Sequence, residues 1–215
     1  MTRRFFLRGA LGGVLGSFLG AVLGLALLLA GAATPARASV DGARDFIRAL
    51  SADAVAALDG QGVSREALQK LIETGLDVDS VGRFALGPFL RQSNPQKVDQ
   101  YLKLFRDYVL ISYPDMLAKL KLRDMDIVSV KSQDEHVTFV TSRIGYGEKD
   151  TVEVGWYVRE VQPNVYKIQD VQVSGNSLRL FQRAKFEKIL RDRWIDGLIK
   201  VMERWVETGR EDPVL

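Results

Sequence analysis

The hydrophobic pattern of this chain changes its period twice, and the order of the patterns restricts the fold more than any other feature. Apolar residues recur every three or four positions up to about residue 120, alternate with polar residues from 125 to 173, and return to helical spacing after Ser177. A period of 3.6 predicts helices, and a period of 2 predicts strands that bury one face. The order predicts an α+β domain, in which helices pack on one face of a four-stranded antiparallel sheet with an apolar cavity between the layers.

Five helices are predicted from the spacing and from residues that favour helix ends. They span 40–58, 64–73, 77–86, 94–120 and 177–205. The fourth begins at Asn94 and Pro95, because asparagine caps a helix and proline suits its first position. We expect Pro114 to kink this helix, since proline cannot donate to the carbonyl four residues back. We expect Gly197 to bend the last helix.

Four strands are predicted between the last two helices. They span 125–131, 135–144, 151–159 and 166–173. The turns that join them are short, and short turns require an antiparallel meander. The alternation fails around Asp170 and Val171, which predicts a β-bulge there.

The first 38 residues predict export to the periplasm. Arg3 and Arg4 precede an uncharged apolar stretch, 9–36, and small residues at Ala36 and Ala38 form a cleavage site. The paired arginines resemble the signal that directs folded proteins to the twin-arginine route, although an ordinary secretory leader can also hold two arginines. We expect cleavage after Ala38, which leaves a single domain over 39–215.

Three other observations limit what the chain can do. The apolar stretch is long enough to remain as a membrane anchor, but its many glycines favour removal. Without the four arginines of the leader, the chain has 26 basic residues against 27 acidic ones, a net charge of −1. Such a charge argues against nucleic acid as a partner. With no cysteine and one histidine, we expect no metal site and no disulfide.

Several segments, in order along the chain, resemble the MlaC family of periplasmic phospholipid-binding proteins. The longest is LDVDSVGRFALG at 76–87. The others are FRDY at 105–108, WYV at 156–158 with YKIQDV at 166–171, GNSL at 175–178 with RAKF at 183–186, and WIDGLI at 194–199. The twin-arginine-like leader departs from the usual family pattern.

The resemblance implies a carrier without cofactor or catalytic group. Its ligand would be a phospholipid, and its partners would be an outer-membrane lipoprotein complex and an inner-membrane ABC transporter complex. A sister branch, HpnM, accompanies hopanoid synthesis, so a hopanoid is the alternative ligand.

Large apolar side chains on the inner sides of the predicted layers are candidates for contact with acyl chains. The candidates on strands are Val140, Ile144, Val152, Val154, Trp156 and Val158. The candidates on helices are Val81, Phe84, Phe105, Val109, Leu178, Phe181 and Phe186. Any one of them can instead belong to ordinary core.

Arg83 and Arg106 lie inside apolar helical segments and are candidates for contact with a lipid headgroup. The alternative is that each stem covers apolar surface while the guanidinium reaches water.

A small α+β enzyme and a pure interaction module are the rival functions. Asp77 and Asp79 form a possible acid–base pair, but charge at a helix start favours the helix by itself. His136 could act as a base, yet its polar neighbours favour a surface position. Basic residues along the last helix, from Arg179 to Arg193, could bind an acidic partner or form a solvated face.

Overall fold

Six helices and five strands make up the described part of the chain, which comprises residues 40–58, 64–119 and 122–209 of the computed structural model. The helices are α1 (Val40–Leu58), α2 (Arg65–Gly75), α3 (Val78–Leu86), α4 (Phe89–Gln92), α5 (Pro95–Lys119) and α6 (Leu178–Thr208). The strands are β1 (Leu122–Ser132), β2 (Val137–Tyr146), β3 (Asp150–Gln162), β4 (Val165–Val173) and β5 (Asn176–Ser177). The predicted leader and its cleavage site lie outside the described residues. None of the described helices is long and apolar enough to cross a bilayer.

Four helices begin at the polar residues that the sequence predicts. The side chains of Ser64, Asp77, Asn94 and Ser177 each accept a hydrogen bond from a backbone N–H two or three residues further on. These bonds satisfy N–H groups that have no partner inside the helix. Helix α5 continues through Pro114 to Lys119.

The sheet is an antiparallel meander in the order β1-β2-β3-β4-β5. The α+β prediction is confirmed, but the sheet has five strands rather than four. The fifth strand has two residues, too few to show alternation, and it follows a tight turn at Ser174 and Gly175, both with positive φ. The predicted bulge is also present, because the register with β3 leaves Gln169 unpaired beside Asp170.

Most of the buried apolar residues form two clusters. The larger one joins α2, α3, α5 and α6 around Phe105, Phe186 and Trp205. The smaller one lies between α1 and the sheet, where Ala43 and Ile47 meet the strands. Leu76, between α2 and α3, packs on both clusters, and its backbone forms a bridge to Ile168 of β4.

Helix α6 departs from helical geometry at Trp194 rather than at Gly197, so the predicted position of the bend was wrong. Trp194 has φ 55° and ψ −170°, a region that residues other than glycine rarely adopt. Gly197 has a different role. A Cβ at Gly197 would lie 2.1 Å from the Cβ of Arg193, so glycine permits this close approach.

Candidate functional site

An apolar cavity of about 90 Å³ lies between α1 and the sheet. Its walls come from one side of α1, from the C-terminal part of α5 and from β1 to β3. The lining residues are Ile47, Leu50, Ser51, Ala54, Val55, Leu117, Leu122, Asp124, Met125, Ile144 and Trp156. Asp124 is the charged residue in a lining that is otherwise almost wholly apolar.

An open groove of about 720 Å³ adjoins this cavity along α1 and β1. The two share Ser51, Val55, Asp124 and Met125, so the wall of the cavity continues into the groove. The lining of the groove also includes the charged residues Arg48, Arg123 and Asp126. The site therefore has an apolar interior and a charged rim, an arrangement that suits a ligand with an apolar body and a polar head.

The indole of Trp156 is held by a hydrogen bond inside the sheet. Its N–H donates to the hydroxyl oxygen of Ser142 at 2.8 Å, and the Ser142 hydroxyl donates to the Val154 carbonyl at 3.4 Å. The polar atom of the indole thus has a partner within the protein. The ring can then form an apolar wall without a polar group that would need water.

The strand candidates all lie on the sheet face toward the helices, because the register pairs Val140 with Trp156 and Ile144 with Val152. Ile144 and Trp156 line the cavity. Val154 and Val158 are buried on the same face, and Val140 and Val158 belong to the smaller cluster. Two of the six strand candidates therefore line the cavity, and their contact with a ligand stays a prediction.

Most of the helix candidates lie elsewhere. Val81, Phe105, Val109 and Phe186 are buried in the larger cluster, where the rings of Phe105 and Phe186 meet edge to face with centroids 6.0 Å apart. None of these four residues lines the cavity or the groove.

The remaining helix candidates are less buried. Phe84 is half-buried beneath two guanidinium groups, with that of Arg179 4.4 Å from the ring centroid and that of Arg183 5.6 Å from it. Leu178 is half-buried at the start of α6. Phe181 is 71% exposed and projects from the first turn of that helix.

The two headgroup candidates lie outside the cavity and the groove. Arg83 is exposed on α3. Arg106 forms an ion pair with Asp79, with 2.9 Å between the nitrogen and the oxygen. This pair joins α5 to the first turn of α3, which gives Arg106 and Asp79 a structural role.

Sequence reasoning missed the contribution of α1 and of β1. Ile47, Leu50 and Val55 lie on the apolar stripe of α1, which was visible in the sequence, but nothing in the stripe tells which layer it packs against. Leu122 lies at the strand end, before the predicted start of β1. Arg123, on the groove rim, donates to the carbonyls of Glu148 at 2.6 Å and Asp150 at 3.2 Å.

The residues considered for acid–base chemistry have structural partners. Asp77 caps α3, and its backbone N–H donates to the Ile168 carbonyl at 2.9 Å. His136 is exposed in the turn between β1 and β2, where its backbone N–H donates to the Asp134 carboxylate at 2.8 Å. Within residues 40–58, 64–119 and 122–209, no group of three or more His, Cys, Asp or Glu side chains could hold a metal ion.

The fold is similar to that of a solved structure described as a phospholipid-binding protein from Ralstonia solanacearum in complex with a phospholipid. The TM-score is 0.62, and the sequences are 19% identical over 78% of this chain and 98% of the other. At this identity the likeness establishes the fold alone. No curated protein sequence matches this chain.

The family comparison covers most of the domain. The model described as MlaC protein matches residues 42–204, a range that includes all five strands, every residue that lines the cavity and nearly all of α6. The match takes in well over half of the chain, and the segments that resemble the family fall within it. The chain therefore belongs to the MlaC family.

Proposed function

We propose that this protein is a periplasmic phospholipid carrier that moves lipid between an outer-membrane lipoprotein complex and an inner-membrane ABC transporter complex. Membership of the MlaC family and the bound phospholipid in the structural neighbour support the proposal. The observation that carries it is the apolar cavity between α1 and the sheet, which continues into a groove with a charged rim.

The energetics of a lipid in water require an enclosed site. Burying roughly 30 methylene groups at about 0.8 kcal/mol each gives a gross gain of about 24 kcal/mol. A shallow surface patch cannot compete with a bilayer on this scale. The carrier therefore has to cover most of both acyl chains.

The cavity has to widen to do this. Its volume of about 90 Å³ is below the ~300 Å³ of even small ligand pockets. The space becomes sufficient if α1 moves away from β1 and the cavity merges with the groove. The larger cluster then stays intact, because the contacts of α1 with the strands belong to the smaller one.

The N-terminal part of α1 provides the pivot for this movement. Gly42 lies so close to Tyr166 of β4 that a Cβ would be 2.1 Å from the phenol oxygen. The ring of Phe46 also packs on Tyr166, with centroids 6.1 Å apart. The C-terminal half of α1, from Leu50 to Val55, lines the cavity instead and would swing outward.

Arg48 and Arg123 are placed to contact the phosphate of the headgroup. Both line the groove, one from each wall, and a guanidinium can donate two hydrogen bonds to one phosphate. Arg48 forms an exposed pair with Asp45 at 3.0 Å, which a phosphate can replace at little cost. These two arginines replace Arg83 and Arg106 as headgroup candidates.

Native mass spectrometry of the protein purified from the periplasm tests the proposal. Ala54→Phe places a ring in the cavity and should reduce the fraction that carries lipid by at least about fivefold, because the acyl chains lose the space they enter. Ala49→Phe, on the exposed side of the same helix, is the matched control and should retain lipid. Lipid-free wild-type protein, or equal loading of both variants, would count against the site.

The identity of the bound lipid separates the two branches of the family. A phospholipid mass supports the main proposal. A hopanoid mass would keep the site but assign the chain to the alternative ligand.

A further inference from the structure

Three exposed apolar side chains lie close together along the chain where the sheet meets α6. Val173, Leu180 and Phe181 are 36%, 55% and 71% exposed, and they fall on β4 and on the first turn of α6. The turn at Ser174 and Gly175 and the cap at Ser177 hold these two elements together. We call these three residues the apolar tip. Neither the cavity nor the groove includes any of them.

The helix that carries the apolar tip is strongly basic. Residues 178–193 contain six lysines and arginines but only Glu187 and Asp192 as acids, a net charge of +4. The net charge over 39–215 is −1, so the remainder of that segment has a net charge of −5. The helix segment 178–193 therefore carries an excess of positive charge over the remainder, and negative charge would attract it.

Some of these cations have partners within the protein. Arg179 lies 3.5 Å from the buried Asp170 carboxylate, and Arg191 pairs with Glu187 at 2.6 Å. Arg183 packs over Phe84, and Lys185 lies over the rings of Tyr108 and Trp205.

Two exposed cations share a side of the helix with the apolar tip. Arg191 lies eleven residues after Leu180, or about three turns, and therefore faces the same way. Lys188 is exposed two turns after Phe181.

By the same count, Glu187 lies two turns after Leu180 and the exposed Asp192 lies three turns after Phe181. This side of the helix therefore carries both signs, and residues 183–192 have a net charge of +2.

We infer that the apolar tip and the basic face of α6 dock the protein reversibly on an anionic lipid bilayer. Leu180 and Phe181 would enter the boundary between headgroups and acyl chains, while Lys188 and Arg191 meet the lipid phosphates. Large apolar side chains beside Lys and Arg are the combination that interfacial helices use. A protein interface typically buries about 800 Å² on each partner around a core with few charged residues, which this small apolar tip in a basic face does not resemble.

The docking is weak enough to reverse. Each lysine or arginine near an anionic surface contributes about fivefold to partitioning, and salt screens that contribution within about 10 Å. The inference does not depend on the proposed carrier function, because the apolar tip lies outside the lipid site. A protein that loses docking could still hold lipid, and the reverse also holds.

Sedimentation with vesicles tests the inference on protein purified from the periplasm. Vesicles of phosphatidylcholine alone are compared with vesicles that also contain phosphatidylglycerol. The wild-type protein should bind only the anionic vesicles, and added salt should release it. Leu180→Ser/Phe181→Ser should lower the partition coefficient at least tenfold, and Lys188→Gln/Arg191→Gln should lower it about 25-fold.

Two double variants on the sheet are the matched controls. Val128→Ser/Val165→Ser removes two exposed valines, and Lys131→Gln/Arg143→Gln removes two exposed cations. Both should bind like the wild type. All variants keep the same N-terminus, so any contribution of residues 1–38 is common to them.

Two outcomes would overturn the inference. The first is wild-type binding that is independent of phosphatidylglycerol or equal among all variants. The second combines two results: the protein does not bind vesicles, and the Leu180→Ser/Phe181→Ser variant alone no longer associates with a protein complex. These results would assign the apolar tip to a protein partner. Because the substituted side chains are exposed, circular dichroism and the thermal midpoint should remain those of the wild type.

Discussion

The side-chain amide of Gln69 donates a hydrogen bond to the carbonyl of Leu110, with 3.0 Å between nitrogen and oxygen. Leu110 lies four residues before Pro114, and proline has no N–H to bind that carbonyl. Gln69 of α2 thus provides the donor that α5 lacks. Arg65, one turn earlier on α2, donates to the next carbonyl, that of Ile111, at 2.7 Å.

A double-mutant cycle should reveal this compensation. Gln69→Ala should lower the free energy of unfolding by about 1–2 kcal/mol, because a half-buried carbonyl loses its donor. In a Pro114→Ala background the new N–H can bind Leu110, so Gln69→Ala should cost less than about 0.5 kcal/mol. Urea unfolding measures both values. Lys70→Ala, exposed on the same helix, is the control, and equal losses in the two backgrounds would contradict the pairing.

The buried carboxylate of Asp170 holds the start of α6. It accepts hydrogen bonds from the hydroxyl of Ser177 at 2.6 Å and from the backbone N–H of Arg179 at 3.1 Å. Asp170→Ala should lower the free energy of unfolding by about 3 kcal/mol, since bonds to a charged acceptor are the strong ones. Ser177→Ala should cost about 2 kcal/mol, because it removes both the cap and the bond to the carboxylate. A loss below 1 kcal/mol for Asp170→Ala in urea unfolding would show that the carboxylate is dispensable.

The backbone at Trp194 should reverse the usual order of helix propensities. Glycine tolerates φ 55° and ψ −170°, so Trp194→Gly should be more stable than Trp194→Ala by about 1–3 kcal/mol. Both variants lose the contact with Phe89, and that loss cancels in the comparison. At Arg191, in the regular part of α6, the alanine variant should instead be more stable than the glycine variant by about 1 kcal/mol. Thermal unfolding of the four variants decides whether the order reverses only at Trp194.

Tyr101 should make the protein sensitive to alkaline pH. Burial, and to a lesser extent Tyr113, raises the pKa of Tyr101 well above its ordinary value of 10.0. A raised pKa in the folded state means that stability is complete below about pH 10 and is lost as the pH rises further, because the unfolded chain releases the proton first.

The comparison with Tyr101→Phe isolates this effect. The variant loses the hydrogen bond to the Gly82 carbonyl, 3.0 Å long, and should be less stable near pH 8 by about 1 kcal/mol. The difference should shrink toward about pH 11, where only the wild type loses the contribution of Tyr101. Urea unfolding measures both stabilities, and a difference between wild type and variant that stays constant across this pH range would contradict the assignment.

Local signals explain why most of the fold could be predicted. Helices begin at Ser64, Asp77 and Ser177 because each side chain accepts a hydrogen bond from a backbone N–H only a few residues away. The alternation in β3 likewise involves only neighbouring residues. Short elements give no such signal. Helix α4 has four residues and β5 has two, and neither is long enough for its period to repeat.

The site was harder to predict because it depends on which layers meet. An apolar stripe shows that a helix buries one side but not what it buries that side against. Phe105 and Phe186 were therefore placed at the ligand, whereas they pack against each other in the larger cluster. Ile144 and Trp156 do line the cavity, because the pairing of β2 with β3 puts the inward residues of both strands on one face.

Leu76 packs on both apolar clusters, and the interior is otherwise divided between them. Under the proposed function, lipid leaves past the smaller cluster beneath α1, so the rate of release would depend on that cluster and resistance to heat mainly on the larger one. Substitutions that loosen the smaller cluster can speed release without lowering the melting temperature in proportion. In such a protein, the rate of lipid release and the thermal stability can change independently.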